Sequence, residues 1–173
     1  RAGNLMGNPL CYRDASTADT PAEVFARIDE AAHYAETGIQ VMPINTMFQL
    51  YARKKENEAW LREARHLLFM PDLFAYYLTG VPGNEYCIAS TSELLDAHRR
   101  TWNMPLIREL GLPEHLFGEL LEPGTVRGIL CPEVAAEVGL SPGVKVVAVG
   151  SHDTASAVHA VPFRKGKEAV SAF

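Results

Sequence analysis

Cysteine is scarce in this sequence, and what there is does not pair: Cys11, Cys87 and Cys131 are far apart and odd in number. With no Cys-x-x-Cys, a zinc knuckle and a dithiol redox motif are both excluded. Separated thiols of this kind are expected to be free and buried, in a protein of the reducing cytoplasm. Positive charge is also thin, with 16 Lys and Arg against 21 Asp and Glu, a net charge of -5 and a pI near 5.7. That leaves no basic footprint for nucleic acid. No stretch nears the roughly 18 apolar residues of a membrane-spanning helix, and no signal peptide opens the chain, so no membrane partner is expected. The six histidines (His33, His66, His98, His115, His152, His159) include no i, i+4 pair to set two on one helix face for a metal. Neither Gly-x-x-x-x-Gly-Lys-Ser/Thr nor Gly-x-Gly-x-x-Gly occurs, so no nucleotide cradle is written here.

What is there is ordinary globular composition, 47% hydrophobic and 21% charged over 173 residues. That length buries one sizeable core and suggests a single domain. The sequence opens at Arg1, in turn-like Ala2-Gly3-Asn4. It stops inside Glu168–Phe173, which reads as a strand only just begun. Because a strand left unpaired exposes its edge, an internal fragment is the expectation.

Local signals mark the elements. Leu10–Arg13 suits a short strand. Thr20 as N-cap, Pro21 at the first helical position and Glu23 form a capping box. Helical spacing then runs through Val24, Ile28, Ala31, Ala32 and Ala35 to a stop at Gly38. Asn45 is the next N-cap, with Met47, Phe48, Leu50 and Tyr51 on one side and Arg53–Glu56 as a solvated last turn. Pro71–Gly80 has proline at its start and glycine at its end, and the aromatic stripe Phe69, Phe74, Tyr76 and Tyr77 reads as core. Glu85–Ser92 is ambiguous, with Thr91 or Ser92 available as a cap. Met104–Leu110 and Pro132–Val138 suit short helices, and Thr125–Leu130 a strand. Val144–Val149 is a β-branched run of the kind buried on both faces, and Ser151–Ala160 reads as a helix. With strands concentrated after position 124, the class is α/β.

The stretch that carries chemistry is Gly150-Ser151-His152-Asp153-Thr154-Ala155-Ser156-Ala157-Val158, at the carboxyl end of that run. Open α/β sheets place ligand crevices there. Gly150 allows a sharp turn and a close ligand. Asp153 in the first helical turn faces free N–H groups and the positive end of the dipole, which suits a negatively charged side chain. Such a carboxylate can accept a proton from a substrate hydroxyl, and a loose phosphoryl-transfer transition state needs a well-placed acceptor more than a strong base. His152 and Thr154 can hydrogen-bond neighbouring hydroxyls. Small residues at 155, 156, 157 and 160 let the helix pack closely on another element. On spacing alone capping outweighs catalysis, since Ser and Asp are favoured caps. A Ser151–His152–Asp153 triad is excluded, because consecutive residues cannot stack as nucleophile, base and orienter. His33 and His66 read as surface or boundary residues, and Glu119 and Glu122 as a solvated turn.

Six blocks in order resemble the FGGY family of carbohydrate kinases, and within it the rhamnulokinase branch. They are Gly7–Asp14, Thr37–Gln40, Asn45–Leu50, Met70–Gly80, Glu85-Tyr86 with Ala89–Ser92, and Ser151–Val158. The resemblance implies an α/β chain that is part of an actin-like (ribonuclease H-like) sugar-kinase N-terminal domain. It implies that residues 1–173 are an incomplete sugar-binding domain, with the phosphate hairpin and the C-terminal ATP domain absent. It implies a small ketose as substrate, and ATP and Mg²⁺ in the parent enzyme, with neither held by residues of this chain. Asp153 falls on the family's catalytic base, and His152, Asp153 and Thr154 fall on the segment that contacts the ketose. Tyr12 lies near an aromatic wall of the sugar pocket. The His-Asp-Thr-Ala-Ser-Ala-Val wording favours L-rhamnulose, phosphorylated at its primary hydroxyl. The alternatives are another ketose, of the xylulose or fuculose type, or a non-catalytic sugar-binding or assembly module.

Overall fold

Proline-in, glycine-out signals set several helices of the computed structural model, which describes residues 3–162. The strand expected at Glu168–Phe173 lies outside the described residues, as do Arg1 and Ala2. Helices α1 (Thr20–Phe25), α2 (Glu30–Thr37), α3 (Thr46–Glu63) and α4 (Met70–Thr79) come first. Then follow β1 (Asn84–Glu85), α5 (Tyr86–Ser90), β2 (Leu95–Asp96), β3 (Thr101–Trp102) and α6 (Met104–Glu109). The last are β4 (Leu120–Leu121), β5 (Val126–Ile129), α7 (Pro132–Val138), β6 (Lys145–Val147) and α8 (Asp153–His159). Where length led to an expectation of one core, the chain forms two compact units, Arg1–Leu67 with Ser90–Phe117 and Leu68–Ala89 with Gly118–Phe173.

The first unit is built on α3. Its apolar side puts Met47, Phe48, Leu50 and Tyr51 into a cluster with Val24, Leu61, Leu94, Leu106, Ile107, Leu110, Leu112 and Leu116. Each large side chain buried there contributes about 1.5–3 kcal/mol. The helix expected from Thr20 to Gly38 is two helices. Asp29 interrupts it in an extended conformation and accepts the Ala32 N–H at 2.7 Å, so a local cap competes successfully with continued helical spacing. The first cap falls one residue early: Asp19 is the N-cap and Thr20 the first helical residue. Helix α3 outlasts its expected end at Glu56, but Asn57 is non-helical (φ -157°, ψ 85°) and its Oδ1 accepts the Trp60 N–H. A new helical start thus follows the solvated turn. Asn45 sits at the N-cap of α3, yet its side chain turns inward and makes no cap bond. Residues 10–13 form a turn, not a strand. Strands β2 and β3 pair antiparallel, Leu95 opposite Trp102.

In the second unit α4 and α7 end on left-handed Gly80 and Gly139, as expected. Strands β1 and β4 pair parallel, Asn84 opposite Leu120, and β5 and β6 pair antiparallel, Val126 opposite Val147. Two expectations about burial fail here. Among the described residues the run at 144–149 pairs in a two-stranded ribbon, and Val144, Val147 and Val149 are exposed while Ala148 is buried. On α4 the buried face is Asp72, Leu73 and Ala75, whereas Phe74 and Tyr77 face outward. A β-branched or aromatic run reports that a residue is apolar, not that its face is covered. Strands are also not concentrated at the end of the chain, since β1 to β4 precede position 124.

Candidate active site

Helix α8 begins at Asp153, with His152 as its N-cap in an extended conformation (φ -74°, ψ 118°) and no side-chain cap bond. The capping role that spacing favoured for Asp153 is therefore not the one it takes. Its Oδ1 accepts the Thr154 N–H at 2.7 Å and lies 3.4 Å from Thr154 Oγ1 and 3.9 Å from His152 Nδ1. The side chain is 98% exposed. His152, Asp153 and Thr154, consecutive in the chain, all stand at the start of α8. Tyr12 lies in the other unit, exposed, with its hydroxyl accepting from Arg13 Nε. The close packing expected of the small residues on α8 is not seen among the described residues, for none of that helix is buried.

What holds the turn before α8 was not legible in its own sequence. Gly150 has no left-handed φ, and a Cβ there meets Ser156 Oγ, Ala155 Cβ and Ser156 N at 3.4–3.7 Å, ordinary contact. The sharp turn expected of a glycine is not what the position requires. The turn is instead fastened by hydrogen bonds. Ser156 Oγ donates to the Gly150 carbonyl at 2.6 Å, and the Ser151 N–H donates to Glu85 Oε2 at 2.9 Å. Glu85 is fully buried and also accepts the N–H groups of Cys87 (2.7 Å) and Ile88 (3.1 Å), capping α5. A buried carboxylate is tolerated only when its lone pairs are used, and here three backbone donors use them.

Behind Glu85 stands an ion pair. The Glu85 N–H donates to Asp72 Oδ1 at 3.0 Å, and Arg127 Nη1 donates to the same oxygen at 2.6 Å. Arg127 Nη2 donates to the Gly83 carbonyl at 2.7 Å, and Asn84 Nδ2 to Asp72 Oδ2 at 3.3 Å. The pair is almost wholly out of water. Beside Glu85, burial pushes the Cys87 thiol up. A hydrogen bond from the backbone of His152 pulls the other way, and the neighbouring Glu85 charge adds to the rise. Cys87 and Cys131 are half-buried and Cys11 exposed, all free, so burial is less complete than expected of these thiols.

A second buried network occupies the first unit. Glu93, held at φ 62°, accepts from Asn45 Nδ2 at 2.5 Å and contacts His33 Nε2 at 2.9 Å. His33 is therefore a buried partner and not the surface or boundary residue expected, while His66 is exposed. Glu119 and Glu122 are exposed, but they flank strand β4 (Leu120–Leu121) where a solvated turn was expected.

The sequence profile described as "FGGY family of carbohydrate kinases, N-terminal domain" matches residues 2–159. The chain belongs to the FGGY family of carbohydrate kinases. A protein named rhamnulokinase from Bacteroides thetaiotaomicron is 43% identical over 160 residues, covering 92% of this chain and 33% of its own length. The crystal structure of a carbohydrate kinase from Novosphingobium aromaticivorans superposes with a TM-score of 0.77 at 26% identity, over 90% of this chain and 33% of that one. A gluconate kinase from Lactobacillus acidophilus reaches a TM-score of 0.80 at 18% identity, over 91% of this chain and 32% of its own, which speaks to the fold alone. The α/β expectation holds, and the FGGY fold is of the actin-like kind. The chain spans about a third of the length of the curated relatives it matches. Among the described residues no three His, Cys, Asp or Glu side chains are grouped to hold a metal ion, and no helix is long and apolar enough to cross a membrane.

Proposed function

We propose that this chain is the sugar-side segment of an ATP-dependent kinase that phosphorylates the primary hydroxyl of L-rhamnulose, with Asp153 as the proton acceptor. The observation that carries the reading is the state of Asp153. Its carboxylate stands nearly fully exposed at the start of α8 and, among the described residues, bonds only to its neighbour Thr154. The other carboxylates near the turn, Asp72 and Glu85, are buried and committed. Likeness to a protein named rhamnulokinase supports the substrate class.

In this reading the sugar hydroxyl donates a hydrogen bond to Asp153 and passes its proton there as the phosphoryl group arrives. A loose transition state asks for placement above basicity, so an ordinary carboxylate suffices. His152 and Thr154 flank the acceptor and orient the neighbouring hydroxyls. ATP and Mg²⁺ supply the phosphoryl group and neutralise its charge in the parent enzyme. The steps assigned to this chain's own residues are binding the sugar, orienting it and taking its proton.

The test is Asp153→Asn in the full-length product of the reading frame that encodes this chain. Sugar binding should persist while turnover falls by about 10²–10⁴-fold, the usual worth of a positioned acid or base. Near-wild-type phosphorylation of L-rhamnulose would sink the assignment. A fold shared with a gluconate kinase does not select one sugar, so a panel including xylulose and fuculose belongs in the same assay.

A further inference from the structure

We propose that Glu85 is a positioning residue for the proton acceptor: its buried carboxylate, bonded to the Ser151 N–H, fixes the turn Gly150–Asp153 and hence the direction of the Asp153 side chain. The inference rests on Asp153 being the acceptor.

Two of the three bonds that Glu85 accepts are local. The N–H groups of Cys87 and Ile88 are the orphan donors of α5, and a short Ser, Thr, Asp or Asn serves that purpose in most helices. The third donor, Ser151 N–H, lies 66 positions further along the chain. Reaching it takes the extra methylene of glutamate, which capping alone does not call for. The corner that presents Glu85 is itself fixed, because its backbone N–H is bonded to Asp72 and Asp72 is paired with Arg127. The next amide of the turn, from His152, is bonded to Cys87. One corner therefore holds two consecutive amides just ahead of Asp153, and Ser156 closes the turn from the helix side. Asp153 makes no long-range bond of its own among the described residues, so its aim is set by this backbone. A displacement of about 1 Å from productive geometry costs on the order of 100-fold in rate.

Asp at position 85 keeps a cap for α5 but falls short of Ser151. In the full-length enzyme, Glu85→Asp should lower kcat about 10- to 100-fold, with KM for the sugar changed far less. The same change in an Asp153→Asn background should lower the residual rate by less than about twofold, since a group that acts through Asp153 has nothing left to position. Mutating Asp153 alone tests the acceptor, so its failure is seen separately from that of Glu85. An unchanged kcat for Glu85→Asp overturns the proposal, as does a loss of equal size in both backgrounds. Should Glu85→Asp fail to fold, Cys87→Ala carries the same cycle. It removes the sulfur bonded to His152 and strands no charge. A several-fold loss of kcat present only when Asp153 is intact supports the clamp, and any other pattern refutes it.

Discussion

Replacing Arg127 by Met removes one member of a buried ion pair and leaves Asp72 charged, with no counter-ion and no water. Asp72 is wholly buried and Arg127 nearly so. Two strong bonds are lost, to Asp72 Oδ1 at 2.6 Å and to the Gly83 carbonyl at 2.7 Å. Stranding a buried charge costs about 3–5 kcal/mol. Among the described residues Arg127 Nε has no partner, and an unsatisfied buried N–H already costs about 1–3 kcal/mol. Removing it returns part of the loss, so the expected destabilisation is at the lower end, about 3 kcal/mol. Adding Asp72→Asn to Arg127→Met removes the stranded charge, and the amide oxygen still accepts the Glu85 N–H. The double variant should therefore be more stable than Arg127→Met alone. Urea unfolding followed by far-UV circular dichroism reads both as shifts of midpoint at constant slope. A loss below about 1 kcal/mol for Arg127→Met, the range of an exposed pair, would refute the reasoning. So would a double variant no more stable than the single.

The raised Cys87 thiol predicts order in alkylation: iodoacetamide should label exposed Cys11 first, and Cys87 should react only as pH climbs above the usual thiol range. Folding holds this proton more tightly than the unfolded chain does, so Cys87's contribution to stability is complete below the unfolded thiol's pKa. It is lost as pH rises through the folded one, and a Cys87→Ala variant should lack that alkaline decline. Gly150→Ala should be tolerated, neutral or more stable by about 0.4–1 kcal/mol, because the position needs no left-handed φ and its Cβ meets only ordinary contacts. A thermal-melt loss equivalent to more than about 1 kcal/mol would restore the sharp-turn reading of that glycine.

The elements that the sequence made legible are those whose signals are local. Helices α4 and α7 carry proline at the start and left-handed glycine at the end, and they fall where those residues put them. The break between α1 and α2 went unseen because apolar spacing continues through Ile28 and Ala32, although Asp29 was available as a cap. The supports of the site are a different case. Nothing local marks Glu85, Asp72 and Arg127 as partners until β1, α4 and β5 are brought together, nor Glu93 until Asn45 and His33 reach it. Arg127 lies 55 positions from Asp72, and Asn45 and His33 lie 48 and 60 from Glu93, so no short window of sequence contains those pairs. Glu85 is only 13 positions from Asp72, but no helical or strand period links the two. The family blocks did include Asp72 and Glu85, but as members of separate motifs, with nothing to say they touch.

Capping and catalysis make opposite demands on Asp153, and its place in α8 is not that of a capping residue. A capping carboxylate sits outside the first turn and spends its oxygen on the N–H groups there. Asp153 is one residue too far in, and its bond to the adjacent Thr154 spends little of its accepting capacity. The cap position belongs to His152, which makes no cap bond, a weak choice for stability alone. Rules of local preference are broken most often where function claims the side chains. Stability of the turn comes instead from Glu85 and Ser156 acting on backbone atoms, which leaves the side chains of His152, Asp153 and Thr154 free for a ligand. Asp153→Asn should accordingly change stability by no more than about 0.5 kcal/mol, the usual range for an exposed position. In the 173-residue chain that is about 1–2 °C in melting temperature. A drop of several degrees would mean that the carboxylate is structural, and the loss of turnover in that variant could then no longer be credited to a missing proton acceptor.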